Sequence, residues 1–425
     1  MSASTKRVFL AIGIAVLACQ PGCTRGSRPD VPAVAGRAWS VVGDTWQFTV
    51  SALDQDGDDV SFRFRRDSEV DTGWTGYVPS GVELGSARAW AAPGRHHIAA
   101  QARDDRGGLS EWSDDHIVTA VPSPGYPDRV TGYFEIPIDE ADLLTVSPDG
   151  GRLYVAHRGA RGISVHDIAT GGLVGSIAAF ARGIYDFALS PDGTVLYLAC
   201  HDRLFVFDAI YLSVLDSVDV DARVVRAAPG GEFVCAMSQY SLCAISTATW
   251  AVVGTLELDS DDAGEVMGLS PDGRLGYAVE SYGLLVFELP GCELRERVPI
   301  PLNDVSELVV SPDGRYVYLL DREDMPGVHV VSTADMSFIY GPILQGDEAP
   351  DDMVMMPSGD FLLTAHASGD SVAVLRAPDL SFVQSYHVPV SGAAVAVSPD
   401  GSRAFVTSAN NRVQVLGYGS SGGAD

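Results

Sequence analysis

The chain has 425 residues, of which 46% are hydrophobic and 20% charged, the balance of a folded globular protein rather than a disordered one. Its 56 Asp and Glu residues outnumber 28 Lys and Arg, for a net charge of −28. Such a surface repels phosphate backbones and anionic headgroups, which argues against nucleic-acid binding and leaves basic partners, divalent cations or simple solubility.

Lys6 and Arg7 precede an apolar run over residues 8–18, too short to cross a bilayer comfortably and of signal-peptide length. It ends Val16-Leu17-Ala18-Cys19, which resembles the bacterial lipobox with Val in place of the usual Leu. The resemblance implies removal of residues 1–18, lipidation of Cys19 and a net charge of −30. Cys23 is a poorer fit, and plain secretion is the alternative. Gln20 is not the Asp that holds some lipoproteins at the inner membrane, which favours the outer membrane or cell surface. Residues 19–29 read as a tether.

Residues 30–121 carry short alternating strands, such as Trp46-Gln47-Phe48-Thr49-Val50 and Val60-Ser61-Phe62-Arg63-Phe64. About seven of them suggest a β-sandwich. The stretches around Asp54-Gln55-Asp56-Gly57-Asp58 and Asp104-Asp105-Arg106-Gly107-Gly108 resemble immunoglobulin-like and polycystic-kidney-disease-type domains, which implies a spacer or adhesive unit. Asp54, Asp56 and Asp58 are oxygen donors suited to Ca²⁺, but they lack the rest of an EF-hand loop, and a capped turn is the favoured reading. Residues 122–128 hold three prolines and read as a stiff linker.

Residues 129–418 are repetitive. Seven copies of an apolar run, a Pro-Gly turn and a second apolar run place prolines at Pro148, Pro191, Pro229, Pro271, Pro312, Pro357 and Pro399. The intervals are 43, 38, 42, 41, 45 and 42 residues, and units of that length with four short strands predict a β-propeller. The turn is Ser-Pro-Asp-Gly in five copies, where Pro presets φ, Asp caps and Gly takes a positive φ. The seventh copy lacks a fourth strand, and Gly132-Tyr133-Phe134-Glu135-Ile136-Pro137-Ile138 is expected to supply it and close the ring. Residues 419–425 read as a tail. The predicted fold class is all-β, an Ig-like sandwich followed by a seven-bladed propeller.

The phrase Ser147-Pro148-Asp149-Gly150 with Tyr154-Val155-Ala156-His157 resembles the YVTN family of propellers, whose members and relatives include surface-layer proteins, lactonases and redox-enzyme subunits. The resemblance implies a ligand face built from the loops between second and third strands and from the connections between repeats. The position closing the second strand offers His157, Glu280, Asp321 and His366; the connections offer Asp142, Glu265 and Asp351, with Asp186 and Asp352 one step later; the loops offer Tyr240 and Tyr282. Two histidines and several carboxylates on one rim admit a divalent metal, although His157 and His366 belong to non-adjacent repeats. Cys235 and Cys243 flank a turn centred on Gln239 and are expected to face each other, as a disulfide or as two thiols. Cys200-His201 is a poor nucleophile–base pair because strand neighbours point to opposite faces.

Together these readings predict a monomeric, exported, lipid-anchored, non-catalytic protein that binds a protein, peptide or glycan through its upper rim and needs no cofactor, Ca²⁺ being the exception its carboxylates admit. A lactonase-like metal-assisted hydrolase and a purely structural envelope protein are the alternatives.

Overall fold

The computed structural model describes residues 27–417 apart from 37–38, 43–44, 68, 93, 122–125, 137–140, 158–161, 178–182, 201, 259–262, 281–282, 303, 324, 344–349, 389 and 409–410. The segment read as a signal peptide, Cys19, Cys23, Tyr282 and the residues read as a tail fall outside the described residues. Strands make up all the regular structure among those described, and no helix there is long and apolar enough to cross a membrane.

Chain contacts divide the protein into two compact units. Among the described residues, the first is 27–36, 48–86 and 97–116; the second holds 39–47, 87–96 and everything from 117 on. In the first third of the chain, Ala33–Gly36, Thr45–Ser51 and Leu84–Ala89 form a three-stranded sheet. Val60–Arg66 and Gly94–Asp104 pair antiparallel within a five-stranded one. The alternation read from the sequence is visible in the burial: Phe62 and Phe64 are buried while Arg63 and Arg65 between and beyond them are half-exposed. Phe48 meets Phe64 edge-on at 5.2 Å.

The repeats fold into seven antiparallel four-stranded sheets. The first is Ala141–Val146, Arg152–His157, Gly162–Asp167 and Leu173–Ile177, paired in chain order. The last is Val390–Val397, Ala404–Ser408, Arg412–Gly417 and, in the outer position, Arg129–Glu135 from before the first repeat. That strand lies three residues earlier than the sequence placed it, and it closes the last sheet as expected.

Each sheet buries both faces against its neighbours. Tyr154 and Val165 of the first sheet pack with Leu196 and Leu198 of the second. Equivalent clusters join each later pair, and Leu153 and Val155 of the first sheet pack with Phe405 and Val413 of the seventh. The cycle of clusters returns to its start, which makes the region a β-propeller. Burial on two faces explains why the second and third strands are near-continuous apolar runs.

The Ser-Pro-Asp-Gly turns form one end of this ring. In the first, the Ser147 hydroxyl donates to Asp149 Oδ1 at 2.5 Å and accepts from the Arg152 amide at 2.8 Å. The turns at Ser190, Ser270, Ser311 and Ser398 repeat both bonds. In the third and sixth copies the serine is replaced by Ala228 and Met356, both fully buried in the inter-sheet clusters. Gly193 has φ +71°, and a Cβ there would sit 3.1 Å from Pro148 Cδ of the preceding turn. Gly150 meets Pro399 in the same way, so the turns also interlock from the seventh sheet to the first.

The expected disulfide is corrected by the register. Cys235 pairs with Ala244, and Cys243 with Ala236, so the turn is centred between Gln239 and Tyr240 rather than on Gln239. A half-residue displacement of the centre moves the two thiols to opposite faces of the sheet. Cys235 packs toward the fourth sheet and Cys243 toward the second, and both are free.

Candidate functional site: the upper rim and central channel

The innermost strand of each sheet starts at the end opposite the Ser-Pro-Asp-Gly turns, and the loops there include the residues singled out from the sequence. The position closing the second strand lies beneath these loops rather than on them. His157 and Asp321 are fully buried, Glu280 is 4% exposed and His366 7%. The second strand is flanked on both sides and packed on both faces, so its last residue is still inside the sheet.

Each of these side chains is engaged locally. His157 Nε2 bonds the Ser164 hydroxyl at 2.8 Å, and His366 Nε2 bonds Thr364 Oγ1 at 3.1 Å. Burial holds the His366 imidazole below its ordinary pKa, with Asp351 pulling the other way. Glu280 pairs with Arg297. Asp321 Oδ1 accepts the Glu323 and Met325 amides, each at 3.1 Å, and shapes the loop that follows. The two histidines therefore serve their own sheets and do not converge.

Of the connection residues, Asp142 is half-buried, and Glu265 lies on the strand Ala263–Leu269 with its side chain outside the described set. Asp351 Oδ2 accepts the Ala367 amide at 2.7 Å, and Arg322 donates to the Asp351 carbonyl. Tyr240 is 55% exposed, as a rim residue should be. The loops of this end add the exposed carboxylates Asp202, Asp219, Asp221, Asp304, Glu323 and Asp370. Arg203 pairs with Asp219.

The inner strands hold a charge cluster that the sequence reading only touched. Counting back from the lower turn, the fourth residue is Asp186, Glu307 and Asp352 in the second, fifth and sixth sheets; the second residue is Arg226 in the third. Both positions share one strand face. Arg226 Nη1 lies 2.5 Å from Asp186 Oδ2, and its Nη2 lies 3.8 Å from Glu307 Oε1. The guanidinium thus spans from the second sheet to the fifth. Asp186 Oδ2 also accepts the Val225 amide at 3.0 Å, and Asp352 Oδ2 the Val395 amide at 2.7 Å, each linking an inner strand to the next sheet.

Burial raises the Glu307 carboxyl, against the pull of Arg226 and with Asp186 adding to the rise. Burial also pushes Asp352 well above the ordinary carboxylate value, and the Glu307 charge adds to it. The Glu307 side chain nevertheless keeps 28% exposure. Asp186 and Asp352 had been noted as neighbours of the expected rim. Glu307 and Arg226 were missed, although a charge inside Val305-Ser306-Glu307-Leu308 or Val224-Val225-Arg226-Ala227 is the available signal once the repeats are aligned on their prolines.

In the first third of the chain, Asp54, Asp56 and Asp58 do come together, with one carboxylate oxygen of each within 4.8 Å of the others.

No known protein family and no curated protein matches the chain at the level of sequence. Solved structures match it by shape. Hydrazine synthase of Kuenenia stuttgartiensis superposes with a TM-score of 0.59 at 19% identity, covering 67% of this chain and 97% of that one. The β-propeller domain of Cps50 (Swd1) from Myceliophteria thermophila gives 0.56 at 13% identity, covering 68% and 99%. At these identities the likeness is one of fold.

Proposed function

We propose that the protein is a non-catalytic recognition platform whose seven-bladed ring binds a protein or peptide partner through the loops opposite the Ser-Pro-Asp-Gly turns. In this reading residues 1–18 are a signal peptide, Cys19 carries lipid, an Ig/PKD-like unit over residues 30–121 acts as spacer, and a monomer stands at the outer membrane or cell surface. The observation that carries it is the composition of the upper end. Six exposed carboxylates and the exposed Tyr240 surround a channel whose inner strands add Asp186, Glu307 and Asp352. A concave acidic rim with an aromatic side chain suits a basic peptide segment. A glycan is the other occupant considered. The hydrolase reading draws less support, because His157 and His366 are bonded inside their own sheets.

The test captures partners from a detergent extract of the native envelope on the chain from Thr24 onward. Its control carries Tyr240→Ala, Asp221→Asn and Glu323→Gln, all on exposed loop residues. A partner held by the wild type, released by salt and lost from the control supports the reading. Capture that is equal on both moves the binding surface off this rim.

A further inference from the structure

We propose that Asp54, Asp56 and Asp58, with Ser27, form a calcium site in the first unit, separate from the propeller rim. The loop is built around Asp54, which is only 5% exposed. Its Oδ1 accepts the Asp56 and Asp58 amides at 2.9 and 3.3 Å, and Gly57 at φ +78° lets the backbone wrap around it. Its Oδ2 is also shut off from solvent and meets no hydrogen-bond donor. Asp58 repeats the pattern: Oδ1 lies 3.0 Å from Arg106 Nη2, and Oδ2 is buried without a donor. Asp56 Oδ2 accepts the Ser27 amide at 3.0 Å, and the Ser27 hydroxyl is itself buried with no partner.

Three buried oxygens with nothing to bind thus belong to one small group of residues. A buried carboxylate oxygen without a partner is costly, and native proteins rarely leave one. A hard cation held among the three carboxylates would satisfy Asp54 and Asp58 together, and Ser27 is anchored beside it through Asp56. Oxygen-only donors in a loop suit Ca²⁺, which tolerates irregular geometry; Mg²⁺ requires a near-ideal octahedron and keeps its waters. Charge points the same way, since three carboxylates face one guanidinium and a divalent ion balances the remainder. A second loop of the same unit supplies the contrast. Asp104 Oδ1 accepts the amides of Arg106 and Gly108 at 2.9 and 2.8 Å, the same turn geometry, but Arg and Gly occupy the positions where the first loop has Asp56 and Asp58. The first loop therefore carries two carboxylates beyond what a capped turn requires.

Because Ser27 joins the cluster through its amide, bound Ca²⁺ would also tie down the start of this unit. The test titrates CaCl₂ into the full-length chain in detergent after chelation, by calorimetry, with Tb³⁺ luminescence as a second readout. One saturable site is expected, with a dissociation constant of about 0.1–1 mM, the range of weak extracellular sites. Mg²⁺ should compete at least tenfold more weakly. Asp54→Asn and Asp58→Asn should each weaken binding tenfold or more, and Asp104→Asn should leave it unchanged. Asp56→Asn, at a half-exposed position, gives the same answer should the Asp54 variant fail to fold. The absence of a saturable site in the folded wild type, or equal binding by the Asp56 and Asp58 variants, overturns the proposal.

Discussion

The two ends of the propeller are built on different rules. At the lower end five turns repeat one set of bonds, from a serine hydroxyl to an aspartate and from an amide back to the serine, and the prolines of those five turns each rest against the next turn's glycine. At the upper end the chemistry is not kept from sheet to sheet: the fourth residue before the turn is Asp in two sheets, Glu in one and apolar in the remaining four. Periodicity therefore marks the scaffold. The departures from it, Arg226 above all, mark where the inner strands are tied together across the ring.

The largest expected effect comes from breaking the channel tie. Arg226→Met leaves Asp186 and Glu307 without their cation and should cost about 2–3 kcal/mol, read as a lowered urea midpoint at unchanged slope. A loss no greater than that of a surface substitution would make the guanidinium a passive channel lining.

The lower end should yield less per site. Ser270→Ala removes the donor to Asp272 and the acceptor for the Leu275 amide, and should cost about 1 kcal/mol. Gly193→Ala should cost about as much, because alanine at φ +71° is strained and its Cβ must push Pro148 aside.

The ends should also respond to pH in opposite senses. Asp149, Asp192 and Asp272 are held below the ordinary value of 3.8, first by their serine hydroxyls and then by turn amides. Their contribution is present above that unfolded value and is lost as pH falls through the folded one. Glu307 and Asp352 are raised above 4.5 and 3.8 by burial. Their contribution is full below those unfolded values and is lost as pH rises through the folded ones. The thermal midpoint should therefore rise as pH is lowered through the raised folded values toward 4.5 and 3.8, and fall as pH drops further below 3.8. Asp352→Asn should flatten the upper limb alone, and Ser147→Ala with Ser190→Ala the lower limb alone. A single limb in the wild type would dissolve the contrast.

The smallest effect on stability belongs to the exposed rim. Tyr240→Ala, Asp221→Asn and Glu323→Gln together should move the urea midpoint by no more than the equivalent of about 0.5 kcal/mol while abolishing partner capture.

Much of this could be read without coordinates. The turn prolines gave the repeat length, the alternation in residues 60–64 located a half-buried strand that runs on to Arg66, and the unmatched segment near Gly132 announced the closing strand. The candidate site was less legible. His157, Asp321 and His366 were assigned by repeat position to the end of the ring opposite the Ser-Pro-Asp-Gly turns, but position along a strand does not tell how deeply its last residue lies under the loops.

What the sequence by itself determined is local: strand, turn and repeat follow from period-two alternation and from the φ preferences of Pro and Gly, which act over a few residues. What only the tertiary structure decided depends on contacts between distant segments. Cys235 and Cys243 were separated by a half-residue displacement of the turn centre, visible only once strand pairing was seen. Arg226 met Glu307 because ring closure brings the third and fifth inner strands around one channel, 81 residues apart in the chain. Such meetings are set by how the seven sheets pack, and packing depends on the whole set of buried side chains rather than on any one stretch of sequence.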